Sequence, residues 1–399
     1  MSQDNYRLNL KLKGGPVFLG LGILGAVGCA VSFMQNRRDF FASYLTAAAF
    51  FLALCLGSLF FTMVQHLARA GWSTTVRRLS ETVAANLMWM PLFFLPLAFG
   101  LHELFPWLNP EYRATDLLLQ KKAAYLNITF FSIRQVVFFG VWWVLAWYFL
   151  RTSTKQDVTN DVGLTPRMGK MAALGLIFFT LTQTFWAFDW IMSLEPHWFS
   201  TMFGVYYFAG SVVAQYCVLI LFTTIVRKAS GRKDVYNMEH YHDMGKLLFG
   251  HNVFWTYIGF SQFFLIYYAN IPEETIFFLH RAAGSWKFIS LMLPWCHFAI
   301  PFLYLMSWHV KRNVYAICVG ATWLLTMCYI DIYWLIQPNF HHEGAHFGLS
   351  DISSILMVGG FFVFLIINRF KSYNFIPVGD PRLKECLTYD NGIVTHEHH

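Results

Sequence analysis

Two carboxylates stand where apolar sequence surrounds them: Asp189 and Asp331. Each lies inside a long apolar run, and each is followed after five residues by an amide or acid and a proline (Glu195-Pro196 and Gln337-Pro338). Arg134 occupies a third such run, and His197 comes directly behind Glu195-Pro196. An ionisable group at the centre of a membrane span costs about 2.5–3.5 kcal/mol on insertion scales, so each needs a partner or a task. Carboxylates and imidazoles change charge readily, and a set of them in apolar surroundings is the chemistry of a proton relay. On that reading Asp189, Asp331 and Arg134 form an outer charge cluster, with Glu195 and His197 at its mouth. The structural alternative is that Arg134 pairs with Asp189 as a buried ion pair that fixes helix packing.

A second polar set lies at the opposite ends of the runs. Gln65 and His66 close the second run, and His251 and Asn252 open the seventh. His251, Trp255 and Gln262 recur at i, i+4 and i+11 and so share one helix face, as do Thr182, Trp186, Asp189 and Ser193. Asn86, Gln183, Gln215, Gln262 and His297 fall at middle depth. Together these groups predict two polar half-paths, with His66 and His251 as inner inlets, meeting near Gln183 and Gln262. Interhelical hydrogen bonding that holds a bundle together is the plainer explanation for any single amide.

Resident cofactors find little support. The seven cysteines form no C-x-x-C or C-x-x-C-H, so no cluster site or c-type haem attachment is present in the sequence. Haem b needs deep histidines paired across facing helices; His297 is deep, whereas His66, His251 and His309 lie near run ends. His341, His342, Glu343 and His346 resemble a metal site in composition only. The expectation is a chain with no catalytic residue, metal or cofactor site of its own.

The elements that must position these residues follow from composition. Of 399 residues, 56% are hydrophobic and 13% are charged, about half the charged share of a soluble domain. Runs of some 20 apolar residues, the length of a span, occur near 15–34, 42–67, 82–101, 128–150, 171–193, 201–226, 248–269, 286–308, 313–336 and 350–368. They are continuous rather than alternating, which favours helices over a barrel. The predicted fold is an all-α integral membrane protein of about ten spans.

Lys and Arg divide twenty-one to seven between the two sets of connections, which places both termini in the cytoplasm by the positive-inside rule. That split explains the net charge of +7 without a nucleic-acid partner. Arg7, Lys11 and Lys13 ahead of an apolar run would also suit a signal sequence, but cleavage there would invert the loops against the charge asymmetry. The echo around Asp189 and Asp331 predicts two four-helix bundles. The expected divisions are 1–40 (N-terminal segment and first run), 41–198 and 199–345 (the bundles), and 346–399 (last run and cytoplasmic tail).

The segment FDWIMSLEPHWFSTMFGVYYFAG at 188–210, with QHLARAGW at 65–72, resembles the ActF-type subunits of alternative complex III, a branch of the NrfD-like (polysulfide-reductase membrane subunit) family. The resemblance implies a multi-pass subunit of the bacterial inner membrane in a quinol:electron-acceptor oxidoreductase. Its implied partners are multihaem and monohaem c-type cytochromes, an iron–sulfur subunit, a second NrfD-like subunit (ActC) and membrane lipids. The c-type haems and iron–sulfur clusters would belong to those partners, quinol would be the substrate of the complex, and this chain would supply polar half-channels. The rivals are a quinol-binding subunit using His197 or a carboxylate of the fifth run, a secondary transporter, and a plain scaffold.

Overall fold

The computed structural model describes residues 14–390, and every regular element among them is a helix. Arg7, Lys11 and Lys13 lie outside the described residues. Each of the ten apolar runs is helical. We number them α1 (Gly14–Gln35), α2 (Arg37–Leu67), α3 (Thr74–Met88, continuing after a bend as Met90–Phe99), α4 (Ile128–Thr159) and α5 (Leu164–Trp190). The second half holds α6 (Phe203–Ser230), α7 (Met238–Ala269), α8 (Trp286–Met306), α9 (Val314–Ile336) and α10 (Leu349–Phe370).

Eight of these are long and apolar enough to cross a membrane, and α3 makes nine if its two arms are one span. The arms meet at 48°, between Met88 and Met90. Pro91 and Pro96 follow at once, and proline supplies no N–H to continue the helical ladder. The 32-residue α7 stands outside the eight, because His251, Asn252, Trp255, Tyr257 and Gln262 dilute its apolar stretch. The chain is thus a multi-pass α-helical membrane protein.

Asparagine sets many of the helix ends. The side chains of Asn36, Asn127, Asn237 and Asn313 accept from the first-turn N–H groups of α2, α4, α7 and α9. Asn160 and Asn270 end α4 and α7 in the left-handed conformation, which asparagine tolerates.

The central element is α2, whose apolar window is 89% buried against 22% for α1. It touches α3, α5, α6, α9 and α10. The α3, α4 and α5 helices pack in sequence and α5 returns to α2; α6 packs on α7 and α9, and α8 joins α7 to α9. The α1 helix leans on α10, where a Cβ at Gly25 would lie 2.2 Å from the Met357 nitrogen. Only glycine allows that approach. The tail then turns back on the molecule, burying Phe375, Ile376, Asp380 and Cys386.

One expected boundary needs correction. The third run was expected to begin at 82, with Arg77 and Arg78 in a connecting loop; α3 begins at Thr74 and both arginines are buried within it. Their charge is paired with carboxylates, and that is why a polar stretch can sit inside the fold. Lys311, which falls between the eighth and ninth apolar runs, is also buried, donating to the carbonyls of Leu305 (2.6 Å) and Met306 (3.0 Å).

Candidate functional site

The polar residues gather into three clusters, one of them built from all four helices α6 to α9. At its centre Asp331, 3% exposed, projects from α9 a turn and a half before the helix ends. Tyr206 of α6 donates its hydroxyl to Oδ1 (2.5 Å), and Trp255 of α7 donates Nε1 to Oδ2 (3.1 Å). Both donors are neutral. The Trp255 ring stacks on His297 of α8 at 3.7 Å between centroids. His297 Nδ1 lies 3.1 Å from Asn252 Oδ1, and its Nε2 lies 3.6 Å from Cys328 Sγ.

His297 sits in a π-helical stretch, Leu293–Ala299, that contains Pro294. Such bulges re-aim side chains inside helices, often at functional sites. A cavity of about 10 Å³ touches Asp331 and is bounded by Tyr207, Gly210 and Ser211. That is close to the smallest space that holds one water molecule. A carboxyl with neutral donors beside such a space can gain or lose a proton without breaking an ion pair.

Asp189 has the opposite surroundings. Arg134 grips it through two bonds, Nε to Oδ2 (2.7 Å) and Nη2 to Oδ1 (2.9 Å), and Gln135 adds a third at 2.9 Å. The guanidinium also donates to the Tyr125 carbonyl and lies over the Tyr125 ring at 3.9 Å. A paired, fork-shaped contact of this kind is strong and directional. It ties α4 to α5, so for this pair the geometry favours the structural alternative. The structure therefore divides the expected outer cluster: Asp189 and Arg134 are partners, while Asp331 bonds to other residues.

Glu195 and His197 also part company, although one residue separates them. Glu195 meets His280 Nδ1 (2.9 Å) and Arg281 Nη1 (3.6 Å). Arg281 is buried, donates to the carbonyls of Phe277, Trp334 and Leu335, and its guanidinium is pushed down by burial to about 10, against the pull of Glu195. His197 instead meets Asp116 (2.7 Å) and the Tyr112 hydroxyl (3.0 Å) near the surface, its side chain 43% exposed.

The third cluster lies where α2 ends and α3 begins. His66 Nε2 stands 3.7 Å from Glu81 Oε1, and Arg77 and Arg78 each approach Glu81 to 3.2 Å. Arg78 reaches on to Asp157 of α4 (2.7 Å), and Arg77 to Asp380 of the tail (2.5 Å). Glu81, His66, Arg77 and Arg78 are all buried, yet neither ring nitrogen of His66 makes a well-formed hydrogen bond. His251, the other expected inlet, is elsewhere: its Nδ1 meets the Leu247 carbonyl and its ring lies against Tyr216.

The two glutamines expected at the meeting point do not meet. Gln183 donates to the Gly204 carbonyl (3.0 Å), and Gln262 lies on the wall of a lateral groove. A different amide bridges the two halves: Gln215 of α6 donates to Ser80 of α3 (3.2 Å), beside Glu81. Among the described residues no three His, Cys, Asp or Glu side chains come together as a metal ion would require.

Sequence reasoning missed Glu81, Asp157, Asp380 and Tyr206. For the first, the signal was present in the i,i+4 and i,i+3 spacing of Arg77 and Arg78 to Glu81. Tyr206 carried no signal, being one aromatic among many. The fold and these clusters define a multi-pass helical membrane protein with buried ionisable groups. No family model and no curated protein matches the chain.

Proposed function

We propose that this chain is a membrane subunit, without its own redox cofactor, of a quinol:electron-acceptor oxidoreductase of the alternative complex III type. In it, Asp331 is the group that exchanges protons. The observation that carries the proton role is the buried Asp331 carboxyl, held by the neutral donors Tyr206 and Trp255 beside a water-sized space. Membrane carboxyls of this kind mark proton and ion pathways. The inner half-channel starts at His66 and Glu81, and Ser80 and Gln215 lead from it toward α6.

The reading places all ten helices across a bacterial inner membrane with both termini in the cytoplasm. The packing order described above supports two four-helix rings, α2 to α5 and α6 to α9, with α1 and α10 outside. Electron carriers reside in the partners: c-type cytochromes, an iron–sulfur subunit and a second NrfD-like subunit. A catalytic quinol role for His197 in this chain is disfavoured by its exposed position and its ties to Asp116 and Tyr112.

The test of membership is affinity purification in mild detergent, followed by a visible spectrum and mass spectrometry. A red preparation with c-type haem and an iron–sulfur partner is expected. A colourless chain, alone or as a homo-oligomer, would overturn the assignment and favour a transporter.

A further inference from the structure

The placement of the His297 ring begins with the backbone of α8. In an α-helix the His297 carbonyl would accept from the nitrogen of residue 301, and Pro301 has no N–H to give. Pro294 stands at the start of the same stretch, which winds as a π-helix over Leu293–Ala299. Two carbonyls of this bulge go to side chains from neighbouring helices. Asn252 of α7 donates Nδ2 to the His297 carbonyl (3.0 Å), and Trp323 of α9 donates Nε1 to the Cys296 carbonyl (2.6 Å). The bulge is pinned from both sides.

With its Nδ2 committed to that carbonyl, the Asn252 amide turns its oxygen toward the imidazole, 3.1 Å from Nδ1. An amide oxygen only accepts, so Nδ1 carries the proton and Nε2 is left bare toward the Cys328 thiol. Asn252 thus clamps His297 at two points, backbone and ring, and both residues are buried.

Trp255 follows Asn252 by three residues on α7, so both meet α8 from one helix face. Its indole lies between two rings: His297 at 3.7 Å and 19° from parallel, and Tyr206 at 5.7 Å. Those contacts set the tilt of the indole plane, and the tilt decides whether Nε1–H meets Asp331 Oδ2. Tyr206 holds the other oxygen. The carboxyl therefore has one donor supplied directly by α6 and one whose aim depends on α7 and α8 together.

We propose that His297, clamped by Asn252, is a positioning residue that keeps the Trp255 N–H on the Asp331 carboxyl. Neither His297 nor Asn252 bonds to the carboxyl; both act through the indole. A shift of α8 at its bulge would thereby release one of the two donors of Asp331. The bearing on proton exchange rests on the role proposed for Asp331, whereas the positioning itself does not.

The experiment is nuclear magnetic resonance of the full-length protein in detergent micelles, with isotope-labelled tryptophan read at the indole N–H. The Trp255 peak is identified by its loss in Trp255→Phe. Asn252→Ala keeps the imidazole in place as a filler but unclamps it, and is expected to move the Trp255 proton upfield by at least half a part per million as its hydrogen bond weakens. If His297 only filled space, the peak would stay, and that result would overturn the proposal. His297→Leu is expected to move the peak as well, and it decides the matter if Asn252→Ala does not fold by circular dichroism; an unmoved peak there would overturn the proposal equally. A peak that moves in both variants, with proton release unchanged in Asp331→Asn, would keep the positioning and remove the proton role.

Discussion

Asp189 and Asp331 stand in matching sequence contexts, and their partners give them different tasks. Arg134 and Gln135 saturate Asp189, whereas Tyr206 and Trp255 leave Asp331 without a counter-charge. Removing one member of a buried ion pair strands the other and costs about 3–5 kcal/mol. Arg134→Leu is therefore expected to lower the thermal midpoint sharply. Arg134→Leu combined with Asp189→Leu should recover a good part of that loss, which thermal melts of the purified variants would check. Equal loss in the single and double variants would show that the pair does not act as a unit. The Arg134–Asp189 pair was legible in the sequence because opposite charges inside apolar runs have few other options. The Asp331 site was only half legible, since its donors are neutral aromatics distant along the chain.

At the scale of elements, the tail is a strap over the inner cluster. Asp380 bonds Arg77 and Arg382, the Gly379 nitrogen donates to Asp157, and the Tyr389 hydroxyl donates to Asp243 of α7. Burial alone would push the Asp380 carboxyl up, but Arg77 and Arg382 outweigh it and hold the group well below the usual carboxylate range. A depressed folded value stabilises the docked tail above the unfolded value of about 3.9, and the contribution is lost as pH falls through the folded value. The protection of the residue 373–389 amides, taken against their intrinsic exchange rates, is thus expected to stay the same from pH 7 to pH 5. Asp380→Asn should lower it at pH 7; unchanged protection would mean that the buried apolar residues Phe375 and Ile376 hold the tail alone. The sequence did not reveal this strap, because Arg77, Arg78 and Glu81 look like loop residues until their partners from α4 and the tail are known. Apolar length, by contrast, located all ten helices.

Across the whole molecule, α2 serves as the hub and the α1–α10 pair as an outlying layer joined by glycine contacts. Gly25→Leu is expected to displace α1 from α10 while leaving the centre intact. A disulfide-trapping pair across α1 and α10 should then form more slowly than in the native sequence, whereas an unchanged rate would show that the close approach is not needed.

The reading of the chain as a proton-active subunit rests on Asp331, and Asp331→Asn tests it with little change of shape, since asparagine keeps an acceptor for Tyr206 or Trp255. The measurement is proton release per electron during quinol oxidation by the intact complex in sealed vesicles. With assembly and turnover preserved, the expected result is a lower proton-to-electron ratio in the variant. An unchanged ratio at normal turnover would contradict the relay and leave the chain a scaffold.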